Sequence, residues 1–186
     1  MRARLVTPAV DSVLTLAAAK VFLRVEGSDE DTLITDLIAS ATAHIEQLTG
    51  RSICGQEWEL SASSFADEFL LPNGPVRSVE AFTYEPGTGD PVAVDAGLYE
   101  VDLVSDPARV LRRSGAVWPN PASSASAVKI SYLAGYEAVP APLRQAVLLL
   151  VGHWYTNREA VVTGTIATEI PLGVDQLIHN YRSWTQ

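Results

Sequence analysis

The residues that could do chemistry are few and widely spaced in this sequence. None of the three histidines, His44, His153 and His179, belongs to an H-E-x-x-H pair, which would place two imidazoles and a base on one helix face. The single cysteine, Cys54, excludes an internal disulfide and a cysteine zinc cluster. The sequence has no G-x-S-x-G elbow, P-loop or dinucleotide fingerprint. It therefore predicts no catalytic residue, no metal site and no cofactor.

Charged side chains form two weaker candidate sites. Glu57 and Glu59 share one face of a predicted strand, as an acid and base pair would, although such alternation is more typical of a solvated sheet face. The densest basic patch consists of Arg109, Arg112 and Arg113. This patch could contact a phosphate or an acidic neighbouring subunit, or it could be a solvated strand edge that resists aggregation.

Composition limits the classes of partner. The 186 residues are 47% hydrophobic, which is enough for the core of one domain. Since neither a long apolar run nor a signal-type cleavage site is present, we expect a soluble intracellular protein with no membrane partner. The formal charge of -9 has the wrong sign for holding nucleic acid. This negative charge keeps the protein soluble. Its carboxylates could also line a passage and repel the phosphates of DNA.

Hydrophobic periodicity predicts two helices before residue 51. The first runs from Thr15, the predicted N-cap, to Val25. The second begins at Ser28, where a cap and three carboxylates meet the positive end of the helix dipole, and it ends at Gly50. Its apolar positions recur at spacings of three and four: Ile34, Ile38, Ala41, Ile45 and Leu48.

The middle of the chain has the composition of strands separated by turns. Six strands are predicted, at 56–61, 68–71, 77–84, 98–103, 109–112 and 128–133. Helix returns at Pro142, a suitable first helical residue, and the apolar face that follows is wide. Residues 160–171 are predicted to be an extended arm or loop, and residues 174–184 a last helix.

The predicted fold class is α+β, with a mainly helical body of about four helices and a central β-rich insertion. We treat residues 1–186 as one domain with four parts: a helical hairpin at 13–50, the β-rich insertion at 53–135, a core helix at 140–159, and an extended arm with the C-terminal helix at 160–186. The apolar and aromatic end of the chain must dock to stay ordered, either on its own domain or on another subunit.

Several short motifs follow one another in an order that is more specific than any one of them. They are TLAAAKVFLRV, DEDTLITDLIASA, IEQLTGR, QEWEL, GYEAVPAPLRQAVLLLVGHWYTNREAV and PLGVDQLI. This ordered set, which spans nearly the whole chain from residue 13 onward, resembles the head-tail connector (adaptor) family of tailed bacteriophages, with relatives in gene transfer agents.

The resemblance implies a structural protein of the virion, without enzymatic activity. It implies a homo-oligomeric ring of about twelve copies between the portal protein and a neck, stopper or tail-side protein, with DNA only in transit through the ring. The protein would assemble in the bacterial cytoplasm and reside in the neck of a phage or phage-like particle. The family's portal-docking element corresponds here to Leu172, Val174, Leu177, Ile178, Tyr181, Arg182 and Trp184.

Two other classes of function stay open at the level of the sequence. A small hydrolase or transferase in the β region predicts a deep pocket with converging polar groups. A DNA-binding accessory protein predicts retention on DNA at low salt, which the negative charge opposes. If the connector hypothesis holds, removing residues 172–186 should leave a folded domain and abolish assembly, because the aromatic end follows the strongest core helix.

Overall fold

A computed structural model describes residues 1–157 and 172–183 of the chain. Its helices and antiparallel strands confirm the predicted α+β class. The described residues form two compact units, a β unit of residues 1–10 and 54–137 and a helical unit of residues 11–53, 138–157 and 172–183. The β unit therefore contains the N-terminal strand as well as most of the segment at 53–135 that was predicted to be rich in strands. Within the described ranges, no helix combines the length and apolar character needed to cross a bilayer.

Residues 11–53, 138–157 and 172–183 of the helical unit contain four α-helices. These are α1 (Leu16–Leu23), α2 (Asp31–Thr49), α3 (Ala141–Thr156) and α4 (Leu172–Ile178), which continues into a 3-10 turn at His179–Tyr181. Helix α2 packs on α3, and α3 also contacts α1 and α4. The core of this unit is aliphatic, and its largest fully buried side chains are Ile34, Ile45, Ile53, Leu143, Leu150 and Ile178.

Helix boundaries differ most from the prediction at the start of α2 and at the last helix, which was predicted at 174–184 and is observed at Leu172–Ile178 with a 3-10 turn at His179–Tyr181. The Thr15 hydroxyl accepts a hydrogen bond from the Ala18 amide at 3.2 Å, which confirms the predicted N-cap of α1. The predicted start of α2 at Ser28 is wrong. The Asp31 amide donates to the Ser28 carbonyl at 3.2 Å and closes a turn, so the helix begins at Asp31. Gly50 ends α2 in the left-handed conformation, with φ of 66°, as its position predicts.

The β unit contains two antiparallel sheets. The first has the strand order β1-β2-β8-β4-β5, and the second has the order β3-β7-β6. The strands are β1 (Arg2–Thr7), β2 (Gln56–Ala62), β3 (Glu68–Leu71), β4 (Val76–Tyr84), β5 (Val92–Ala93), β6 (Tyr99–Asp102), β7 (Ala108–Arg112) and β8 (Val128–Ala134). Sequence reasoning located six of these within two residues at each end and missed β1 and β5.

An aromatic and aliphatic core joins the two sheets of the β unit. Phe69 of β3 and Phe82 of β4 meet edge to face at 5.7 Å, and Phe65 stacks on Trp118 at 4.7 Å. Tyr132 of β8 is fully buried, and its hydroxyl donates to the Pro72 carbonyl at 3.0 Å. Alternate residues of β8 are buried, which is the pattern expected for a central strand with one face on the core.

Candidate assembly surfaces

The arginine patch predicted from the sequence lies on the three-stranded sheet of the β unit. Arg109 on β7 extends between the edge strands, because its guanidinium donates to Glu68 of β3 at 3.2 Å and to Asp102 of β6 at 3.0 Å. It also donates to the Ser105 hydroxyl at 2.9 Å. Hydrogen bonds from Ser105, and after them the one from Arg109, hold the pKa of the Asp102 carboxyl well below its usual value.

The other two arginines also have partners within the β unit. Arg112 donates to the Asp67 carboxylate at 2.7 Å and to the Ala116 carbonyl at 2.6 Å, and the hydrogen bond from the guanidinium lowers the pKa of Asp67. Arg113 donates to the Tyr99 carbonyl at 2.8 Å. All three arginines of the patch thus already donate hydrogen bonds to carboxylates or carbonyls of the same unit.

The two strand glutamates have a structural role that the sequence did not reveal. Glu59 accepts a hydrogen bond from the Arg4 guanidinium at 2.9 Å, and Glu57 accepts one from the Thr7 hydroxyl at 2.6 Å. Both donors belong to β1, which pairs with β2. The side chains of the two glutamates therefore stabilise the pairing of the N-terminal strand with β2. Because β1 was not predicted, sequence reasoning had no donor to assign to them.

Two of the three histidines contact aromatic or polar side chains of the helical unit. The His44 ring meets the Trp154 ring edge-on at 5.8 Å, and the Asn157 side-chain amide lies 3.4 Å from Nδ1 of His153. Within the part of the chain that the structure describes, no group of three or more His, Cys, Asp or Glu side chains could hold a metal ion. Cys54 is buried.

The predicted docking residues at the C-terminal end differ in how far they are buried. The side chains of Val174 and Ile178, two of the predicted contact residues, are fully buried in the helical unit. Leu177 and Tyr181 are half-buried. Arg182 is also half-buried and forms an ion pair with Asp175 at 2.6 Å.

The same segment is tied to the end of α2 by its main chain. The Ser183 amide donates to the Thr49 carbonyl at 2.7 Å, and the Arg51 guanidinium donates to the Tyr181 carbonyl. Of the two ways to order this segment, the structure therefore shows docking on its own unit. Trp184, the Leu172 side chain and the predicted arm at 160–171 lie outside the described residues.

Helix α1 has two apolar sides. On one side, Ala19 is fully buried, and Leu16 and Leu23 are half-buried. On the other side of the helix, Val21 is 80% exposed and Phe22 is 42% exposed. Phe22 also forms one wall of an open cleft of about 400 Å³ that α1 and α3 line within the helical unit.

Comparison with known families gives a match along almost the whole chain. The sequence profile of the head completion protein family matches residues 12–184. The chain belongs to the head completion protein family. The resemblance to head-tail connectors is thereby confirmed. A search of curated proteins finds no significant match.

Three solved structures that are similar to this chain come from gene transfer agent particles. The neck of an empty particle, computed with C6 symmetry, contains a chain with a TM-score of 0.78 and 26% identity. A chain in the virion of a native particle has a TM-score of 0.75 and 26% identity to this chain. A chain in the neck of a native particle, computed with C12 symmetry, has a TM-score of 0.69 and 25% identity. In all three, the similarity covers 98% of this chain and 96% of the other.

Proposed function

We propose that this protein is a non-enzymatic subunit of the particle neck, which forms a ring with cyclic symmetry and joins the portal of the head to a tail-side protein. The observation that carries the proposal is the family match over residues 12–184 together with structural similarity to chains of gene transfer agent necks over 98% of its length. Similarity across both units means that the whole chain, and not one shared motif, has the architecture of those neck subunits.

Ring formation is supported by the symmetry of the similar structures. Two of them are necks computed with C6 and with C12 symmetry. A closed ring of identical chains uses two different surfaces on each copy, because each subunit contacts one neighbour on each side. The C12 neck is consistent with the ring of about twelve copies that the sequence resemblance implies.

The acidic charge suits a ring through which DNA passes. The chain carries 22 acidic and 13 basic residues. Several of the basic side chains are already in ion pairs, including Arg109, Arg112 and Lys129. Carboxylates around a channel repel phosphates and keep DNA from adhering during transit. We therefore assign DNA the role of cargo and not of a bound ligand.

Portal docking is proposed for the exposed part of the C-terminal segment. With Val174 and Ile178 buried, the remaining described candidates are Leu177, Tyr181 and Arg182. Each is partly exposed on an element that the core of the helical unit holds in place. A rigid support of this kind lowers the entropy that is lost when a partner binds. The arginine patch of the β unit is a weaker candidate for a subunit contact, since its members are paired within the chain.

The proposal is tested by deleting the gene in the cell or virus that encodes this chain. We expect DNA-filled heads and separate tails to accumulate, and electron microscopy would count heads with and without an attached tail. A plasmid copy of the wild-type gene should restore joined particles. Normal numbers of complete particles without the protein would overturn the proposal.

A further inference from the structure

We propose that the outward face of α1 is a contact surface between neighbouring copies of this chain. We call this face the α1 arc and define it by Ala17, Ala18, Val21 and Phe22. The inference rests on the proposed ring and adds to it the surface that one copy presents to the next.

The sequence of α1 is that of a helix buried on all sides. Its eight residues, LAAAKVFL, include one polar side chain, Lys20. The Lys20 ammonium is already engaged within the helical unit, where it bonds to the Gly27 carbonyl and to the Asp31 carboxylate. A helix that is apolar all round is normally covered all round. In this chain only Ala19 of the helix is fully buried.

The exposed apolar residues of α1 form one continuous face. At about 100° per residue, the four residues of the α1 arc span about 140° of the helix circumference, on the side away from Ala19. All four are exposed, Val21 by 80% and Phe22 by 42%. An apolar face of about this width is what a globular protein usually packs against another element.

Helix α2 of the same unit provides a comparison, because one of its faces is exposed to solvent. The exposed positions of α2 are mostly polar, and they include Thr32, Thr35, Asp36, Ser40 and Gln47. The buried positions of α2 are apolar, apart from Thr49 at its end. The absence of this pattern from α1 indicates that the α1 arc is not suited to face solvent.

Charge favours a second copy of the chain as the partner. Each copy carries a net charge of -9, so neighbouring copies repel one another wherever carboxylates face carboxylates. The α1 arc contains no ionisable side chain, and the exposed Arg24 lies directly after the helix. An uncharged surface with a flanking cation is therefore well suited to meet an acidic copy. The C6 and C12 symmetry of the similar necks supplies the reason to expect such a neighbour.

The direct test is photo-crosslinking of the full-length protein, both in concentrated solution and in purified particles. A benzophenone amino acid replaces Val21 in one variant and Val117 in the matched control. These valines are 80% and 81% exposed, so both variants should fold. We expect crosslinked dimers, identified by mass spectrometry, from position 21 and not from position 117. Equal dimer yields from both positions, or no dimer from position 21 in either sample, would overturn the proposal.

A second measurement separates this contact from the proposed function. Val21→Glu should reduce the copy number of the protein in particles at least tenfold, while Val117→Glu leaves it unchanged. If Val21→Glu enters particles at full copy number, the α1 arc is not the contact and the neck assignment stands. If wild-type protein is absent from particles, the neck assignment itself fails. Crosslinks from position 21 to a different protein would assign the α1 arc to that protein and overturn the contact proposed here.

Discussion

The β unit and the helical unit differ in whether the side chains that could bind a partner already have contacts within the chain. In the β unit, the charged residues that the sequence singled out are paired across strands, as Arg109 is with Asp102 and Glu59 is with Arg4. In the helical unit, an apolar helix leaves Val21 and Phe22 exposed. A cluster of charges in a sequence is therefore poor evidence for a partner, since the fold can supply the counter-charge. An exposed apolar face is better evidence, because the described part of the chain does not cover it.

The largest effect is expected at a backbone contact in the β unit. A Cβ on Gly135 would lie 2.2 Å from the Cys54 carbonyl oxygen, and the φ of Gly135 is +124°. Since neither backbone segment can yield easily, Gly135→Ala should lower the free energy of unfolding by at least about 3 kcal/mol in urea denaturation. Gly115→Ala is the control, with φ of +78° and no atom within 4 Å of its Cβ. Equal losses for both variants would show that the close contact is unimportant.

A second test concerns the closed core of the helical unit. Ile178 is fully buried, so Ile178→Ala should cost about 2 to 5 kcal/mol of unfolding free energy. The half-buried Leu177 provides the control, and Leu177→Ala should cost clearly less. Deleting residues 172–186 should abolish cooperative unfolding of the helical unit, contrary to the expectation from sequence. A truncated protein that melts like the full chain would contradict the assignment of α4 to the core.

A milder effect is expected where α1 meets α3. A Cβ on Gly152 would lie 2.8 Å from Cε1 of Phe22, which is the end of a flexible and partly exposed side chain. Alanine also gains about 1 kcal/mol of helix propensity over glycine. Gly152→Ala should therefore change the free energy of unfolding by less than about 1 kcal/mol. If Gly152→Ala lowers the free energy of unfolding as much as Gly135→Ala does, Phe22 cannot move aside. Helix α1 would then be as rigidly packed as the β unit, contrary to the comparison made above.

The smallest effect on stability is expected from the paired charges of the β unit, and this effect should depend on pH. Because the pKa of Asp102 is lowered in the folded state, its contribution to stability is complete well above its usual pKa of 3.8. That contribution is lost as the pH falls below this value toward the folded-state pKa. Asp102→Asn should thus be less stable than wild type at pH 7, and the difference should shrink in acid. Thermal melts at several pH values would measure it, and a difference independent of pH would contradict the pairing.

Local patterns in the sequence predicted the elements of the fold well. The spacing of Ile34, Ile38, Ala41 and Ile45 located the buried face of α2, because helix periodicity is a local property. The alternation in β8 and the turns around it located that central strand for the same reason. The start of α2 was misplaced because a backbone turn at Ser28 competes with a side-chain cap, and local composition does not decide between them.

Pairing across the chain could not be predicted in the same way. Strand β1 pairs with β2, which joins residues 50 to 59 positions apart in the sequence, so its partner is set by tertiary structure. The partners of Arg109, on β3 and β6, are likewise fixed by sheet order. For the candidate surfaces, periodicity identified apolar residues in α1 and α4 but could not say which helix would be covered. Among the described residues, the fold buries Val174 and Ile178 of α4 and leaves the α1 arc exposed.

The measurement that tests the central claim most directly is cryo-electron microscopy of purified particles from the cell or virus that encodes this chain, with the protein tagged. We predict tag density at the neck alone, arranged around the particle axis with the six-fold or twelve-fold symmetry of the similar necks. Tag density spread over the head, or particles that lack the protein altogether, would contradict the account.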